Sequence, residues 1–152
     1  MDPSREREET EMTRKRERRL PHDGVYARIM RSRIHGVGVF AIRNVPKGAK
    51  LFEPDDGELV WMKKSALRLD ELPQRIRQLY EDFCPIKDKG RRYGCPRSFN
   101  LMTIAWYLNH SKTPNVGCDE DYKFFALRDI TTGEELTADY RSYNQFAEDE
   151  RI

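Results

Sequence analysis

The segment Tyr107-Leu108-Asn109-His110-Ser111-Lys112-Thr113-Pro114-Asn115 limits the folds open to this chain more than any other stretch. It gathers Asn, His, Ser and a second Asn around a proline, directly after an apolar run that should be buried. Short polar side chains bend the backbone and bond to it, and the proline fixes one dihedral of the turn. If the turn is buried, each polar group needs a partner, because an unpaired buried amide costs about 1–3 kcal/mol. A ligand or a threaded piece of chain would supply those partners, which makes the segment a candidate binding site.

The rest of the chain reads as short strands. Val25, Ala27 and Ile29 alternate along Val25–Arg31, and Gly36–Ala41 forms a second run opened by two glycines. Pro46-Lys47-Gly48 is a turn, followed by short strands over Lys50–Glu53 and Glu58–Met62. The period then changes: Leu67, Leu72, Ile76, Leu79, Tyr80 and Phe83 recur at helical spacing, so one amphipathic helix runs from about Pro73 to Phe83. Pro73 suits a first turn, and the polar stretch Lys87–Gly94 follows as a loop. Phe99–Leu108 has room for one or two helical turns. Asn115–Cys118 and Tyr122–Arg128 read as a hairpin across Asp119-Glu120-Asp121, and Leu136–Tyr140 as a last strand.

With 152 residues, the chain fits one domain with a modest core. Arg5–Arg19 alternates acids and bases with almost no apolar side chains, a tail that stays mobile or forms a solvated helix. Its Arg14-Lys15-Arg16-Glu17-Arg18-Arg19 run also fits a nuclear address or an acidic-partner patch. The formal net charge of +2 argues against an obligate nucleic-acid binder that works by phosphate neutralisation alone. No apolar run approaches the ~20 residues a membrane span needs. With a charged N-terminus and no visible signal peptide, an intracellular protein, cytoplasmic or nuclear, is expected. Cys84, Cys95 and Cys118 form no C-x-x-C pair and are expected to stay thiols; a zinc site from two of them and a histidine has poor spacing. Asn109-His110-Ser111 matches a glycosylation triplet, set aside because its flanks are apolar.

Gly36-x-Gly38 alone is a weak signal. It fits a bulged or tight strand entry, or a backbone left bare for a ligand. Three segments carry more when taken together: Ile34-His35-Gly36-Val37-Gly38-Val39-Phe40-Ala41, then Asn109–Asn115, then Gly133-Glu134-Glu135-Leu136-Thr137-Ala138-Asp139-Tyr140. In that order and spacing they resemble the SET-domain protein lysine methyltransferases, over about Asp23–Tyr143.

That resemblance implies a mainly β fold of the β-clip type: small sheets, a C-terminal pseudoknot in which the last segment threads a loop, and one helix in the insert. Residues 1–22 would be the charged tail, 23–143 the SET domain and 144–152 a short C-terminal tail. It further implies that S-adenosylmethionine is held by the backbone of His35, Gly36, Val37 and Gly38. Asn109 and His110 would contact its adenine and amino-acid ends. Tyr140 would be the catalytic tyrosine and touch the cofactor, and no metal would be needed.

The chemistry agrees with that assignment. Methyl transfer to an amine needs a neutral nucleophile, and a lysine with pKa ≈ 10.4 is only about 0.1% neutral near pH 7.4. An aromatic channel disfavours the ammonium, while a tyrosine oxygen holds the amine in line. Read by themselves, Tyr140 would be a satisfied strand tyrosine, His110 a backbone-bonded histidine, and Trp106 and Tyr107 core residues.

The chain also departs from the family pattern. Ala138 stands where a large aromatic often limits the number of methyl groups, so either the channel is wider or another aromatic fills the gap. Trp106 replaces a usual arginine, Glu53-Pro54 replaces a usual Glu-Tyr, and no cysteine-rich segment follows Tyr140. Tyr143 or Phe146 would then close the cofactor site. The insert Lys63–Ser98 carries Glu81, Asp82 and Asp88, which could attract a basic tail. The expected partner is a lysine-bearing protein or peptide, histones among the candidates. No membrane or direct nucleic-acid contact is required, and neither is an oligomer. The alternative is a non-catalytic SET scaffold that binds a peptide.

Overall fold

A computed structural model describes residues 2–8, 20–53 and 59–144. Alternating apolar residues fold Ala27–Arg31 (β1) onto Val37–Ala41 (β2) as an antiparallel hairpin, in register from Ala27↔Ala41 to Arg31↔Val37. Val116–Cys118 (β7) and Phe124–Ala126 (β8) form a second hairpin, close to its expected limits. Between the two hairpins lies the last strand, Glu135–Ala138. With Val60–Lys63 as β3, Ile86–Lys87 as β4, Arg92–Cys95 as β5 and Asn109–His110 as β6, it is β9. The main sheet runs β1-β2-β9-β7-β8, and β6 also pairs with β9. β9 is antiparallel to β2 but parallel to β6 and β7.

This insertion places the core. Leu136 and Val39, cross-strand partners, are fully buried, as are Val45, Val116 and Ile130. Ala138 belongs to the same cluster.

The second sheet, ordered β3-β5-β4, belongs to the insert. Beside it lies the helix Gln74–Phe83 (α1), which starts one residue after Pro73, as its sequence period indicated. None of its residues is fully buried; Leu79, Tyr80 and Phe83 are half-buried on its inner face. Tyr80 packs edge-on against Phe99, and Phe83 against Tyr107, at 5.0 and 5.5 Å between ring centres.

Three local expectations are corrected. Lys87–Gly94, read as a loop, is the β4–β5 hairpin, because Lys89 and Gly90 both take positive φ (54° and 84°), the hand that matches strand twist. Lys50–Glu53 forms only a single bridge, Lys50↔Phe125. Asn109-His110, read as part of a turn, is a strand, because β9 arrives alongside to pair with it. Phe99–Leu108 does form two short helical turns, Phe99–Leu101 and Ile104–Tyr107. The expectations for residues 9–19, Pro54, Glu58 and Phe146 lie outside the described residues.

Cys84 and Cys95 are buried free thiols. A hydrogen bond between them, aided by burial, pushes the Cys84 thiol up. No group of three or more His, Cys, Asp or Glu side chains among the described residues is arranged to hold a metal. No helix among them is long and apolar enough to cross a membrane.

Candidate active site

The buried polar turn finds its partners in β9. Asn115, only 4% exposed, donates from Nδ2 to the Glu135 carbonyl and accepts at Oδ1 from the Thr137 N–H, both at 2.8 Å. Its side-chain amide thus acts as a strand neighbour. The Ser111 N–H adds a bond to the Ala138 carbonyl at 3.0 Å.

Asn109 does the same for the glycine segment. Its Nδ2 lies 3.0–3.1 Å from four acceptors: Ser32 Oγ, the carbonyls of His35 and Val37, and Glu135 Oε2. An amide nitrogen has two hydrogens, so these bonds are shared, and none is left over for a ligand. Glu135 completes the knot by accepting from Ser32 Oγ at 2.6 Å. The two glycines then have separate explanations. Gly36 has φ +49° with open space where a side chain would begin, on an exposed turn. Gly38 is buried, and a Cβ there would sit 2.6 Å from Glu135 Oε2 and 3.1 Å from Asn109 Nδ2. The close approach to Gly38 is therefore made by the protein's own side chains.

The Asn109 side-chain nitrogen thus holds the His35–Val37 loop in place. Ser32 and Glu135 were given no role in the sequence reading. An acid inside an apolar strand pattern was the available signal for Glu135. Ser32 had none, since it meets Glu135 across 103 residues.

His110 and Tyr140 meet at the other end of β6. His110 Nδ1 accepts the Tyr140 backbone N–H at 3.1 Å, so the ring proton lies on Nε2, and the two rings are 5.2 Å apart. Asp139 sits 3.8 Å from the same Nδ1. Two bonds from the Arg141 guanidinium, first among several causes, hold its carboxyl down to about 2. The Tyr140 hydroxyl donates to the Leu108 carbonyl. Burial, with the Glu135 charge behind it, pushes the phenol up to about 12, so it stays protonated across the physiological range.

Tyr140 also lines a cavity of about 430 Å³ between the main sheet and the insert. Aromatic side chains supply much of its wall, among them Tyr80, Trp106, Tyr122, Phe124 and Tyr143. Tyr143 packs 5.9 Å from Phe124 and 6.0 Å from Tyr140, and burial pushes its phenol upward. Glu81 and Asp82 reach the cavity from α1. Asp88 does not: it lies at the β4–β5 turn, 3.2 Å from Arg92. Ala138 is 1% exposed in the core and does not line the cavity.

His35–Val37 do not line it either. The candidate residues therefore fall in two places: the exposed His35–Val37 turn, tied to the Asn109 side chain, and an aromatic recess lined by Tyr140 and reached from the insert.

The SET domain family model matches residues 36–141, and this chain belongs to that family. It is 32% identical over 120 residues to a histone-lysine N-methyltransferase, trr, of Drosophila melanogaster, covering 74% of this chain and 5% of that protein. It is 31% identical over 136 residues to an H3 lysine-4-specific histone-lysine N-methyltransferase of Chaetomium globosum, covering 80% of this chain and 11% of that protein. The chain thus spans a small part of either relative's length.

Proposed function

We propose that this chain is a protein-lysine methyltransferase using S-adenosylmethionine, with residues 23–143 as its catalytic unit. The observation that carries this reading is Tyr140. Its phenol proton is committed to the Leu108 carbonyl, which leaves the oxygen lone pairs free to accept from an amine in the aromatic recess.

The glycine segment suits a ligand lying along its outer side. Gly36 leaves open space there, while the His35 and Val37 carbonyls turn inward to Asn109. His110 is partly exposed, and its Nε2–H is free of the bond made by Nδ1. The cofactor, when bound, supplies an electrophilic methyl on a sulfonium sulfur.

This chain's residues do the rest. Tyr122, Phe124 and Tyr143 exclude water around the acceptor and disfavour its ammonium form, so the proton leaves to solvent before attack. Tyr140, a phenol at working pH, cannot take that proton as a base. It orients the neutral amine by accepting an N–H, and such positioning lowers the barrier by several kcal/mol. Asn109 acts indirectly by fixing the His35–Val37 backbone. The aromatic recess, rather than Ala138, would set how many methyl groups fit.

Both relatives are named for histones, so a basic histone segment is the proposed acceptor, drawn toward Glu81 and Asp82, with the nucleus as the place of action. The test is incorporation of labelled methyl from S-adenosylmethionine into mixed histones and whole-cell lysate proteins, with calorimetry of cofactor binding. Wild type should label a lysine. Tyr140→Phe should lose at least 100-fold in rate while binding cofactor normally. Cofactor binding by neither form would refute the site, and no incorporation with peptide binding intact would leave a non-catalytic scaffold.

A further inference from the structure

The net charge of +2 conceals a strong local imbalance. On the insert, a broad open depression of about 1080 Å³ is lined by Lys63, Lys64, Arg68, Lys89, Arg91 and Arg92, all exposed. Its only acids are Asp70 and Asp88. Arg92 pairs with Asp88, and Arg68 weakly with Glu71 at 3.8 Å. Lys63, Lys64, Lys89 and Arg91 make no ion pair among the described residues.

The strand register sharpens this imbalance. Lys63 lies directly across from Arg92, and Arg92 directly across from Lys87, so three cations form a row over β3, β5 and β4. Like charges directly opposite one another destabilise a sheet. Lys87 is partly accommodated on the face of Trp61, 3.9 Å from the ring centre, and Arg92 by Asp88. Among the described residues, Lys63 has no such relief.

We infer that this cationic face of the insert binds the phosphate backbone of duplex DNA. A duplex carries one negative charge per ~1.7 Å of its axis, denser than an extended peptide in which every residue is acidic at ~3.3 Å each. No aromatic side chain lines the depression, so unpaired bases find no stacking surface and single strands gain nothing there. The inferred contacts run from lysine and arginine to phosphate, which carries no sequence information, so binding is sequence-independent. The inference stands apart from the methyl-transfer reading. Lys64 lines both the depression and the aromatic cavity, so a protein acceptor could be engaged beside bound DNA.

The test uses the full chain with a labelled 20-base-pair duplex of arbitrary sequence, followed by fluorescence anisotropy from 50 to 200 mM salt. Lys63→Glu/Lys89→Glu/Arg91→Glu should weaken binding at least tenfold at 50 mM salt. It should also lower the slope of log affinity against log salt by about 2–3. Its melting temperature should equal or exceed that of wild type, because a repulsive row is relieved. The milder Lys63→Gln/Lys89→Gln/Arg91→Gln should change in the same order with a smaller loss. Failure of wild type to bind at 50 mM salt would overturn the inference. So would unchanged binding by both variants, which would move the contact elsewhere, including to the basic run 14–19. Stronger competition by poly-glutamate than by unlabelled duplex at equal charge would overturn it in favour of an acidic protein.

Discussion

The main sheet and the insert use polar chemistry in opposite ways. In the main sheet, Asn109 and Asn115 lie inside with Glu135 half-buried beside them, and each polar atom shown above has a partner on another element. In the insert, charge stays outside, α1 buries no residue fully, and aromatic edges hold the helix in place. A buried hydrogen-bonded knot fixes one geometry, because losing any partner leaves others unsatisfied. An aromatic seam under an exposed helix tolerates adjustment. The difference suits a rigid backbone turn in one place and an adaptable recess in the other.

The largest expected effects fall on the knot. Asn109→Ala and Asn115→Ala should each lower stability by about 2–4 kcal/mol in urea titrations, because each leaves buried backbone or carboxylate groups unpaired. Phe83→Ala should cost about 1–2 kcal/mol and raise KM for a peptide acceptor more than it lowers kcat. A loss at Phe83 equal to that at Asn109 would break the contrast.

Gly38→Ala comes next, at about 1–3 kcal/mol, since the new methyl meets a Glu135 carboxylate pinned by Ser32 and Asn109. In a double-mutant cycle, Glu135→Ala should recover part of that loss. Strict additivity would mean that the glycine is required for some other reason.

Alkaline and acid titrations separate smaller terms. Tyr140 is raised from 10 to about 12, so its burial stabilises the fold fully below pH 10 and ceases to do so as pH climbs through 12. The expected contribution is about 1–2 kcal/mol, read as an unfolding midpoint that falls over that interval in wild type but not in Tyr140→Phe. Asp139 runs the other way. Its folded value near 2 lies below its ordinary 3.8, so its contribution is present above pH 3.8 and vanishes as pH drops through 2. Solvent screens the exposed Arg141 pair, so the effect is the smallest of the set, and Asp139→Asn should remove it.

Much of this architecture was legible because local pattern and final structure agree. The period along Leu72–Phe83 needed no tertiary contact to indicate a helix, and the β1–β2 alternation survives to within two residues. The motif residues around Gly36, Asn109 and Tyr140 could be singled out by type and order. Their mutual geometry could not. Asn109-His110 becomes a strand only because β9 lies beside it, and Ser32 gains its role from a carboxylate 103 residues away. The β4–β5 hairpin was hidden for a different reason: its charged residues resemble a loop, and only the backbone hand of Lys89-Gly90 reveals the turn.

The central position of β9 also bears on how the chain comes into being. A ribosome delivers residues in order, and the strand that joins β2 to β7 emerges only after residue 134. Until then the two hairpins exist with open hydrogen-bonding edges, and Asn109 and Asn115 lack the Glu135 and Thr137 groups they will bind. Open edges of this kind invite pairing with other chains. Closure of the main sheet therefore waits for residues 135–138, and a nascent chain halted at residue 134 is the species a chaperone would have to shield.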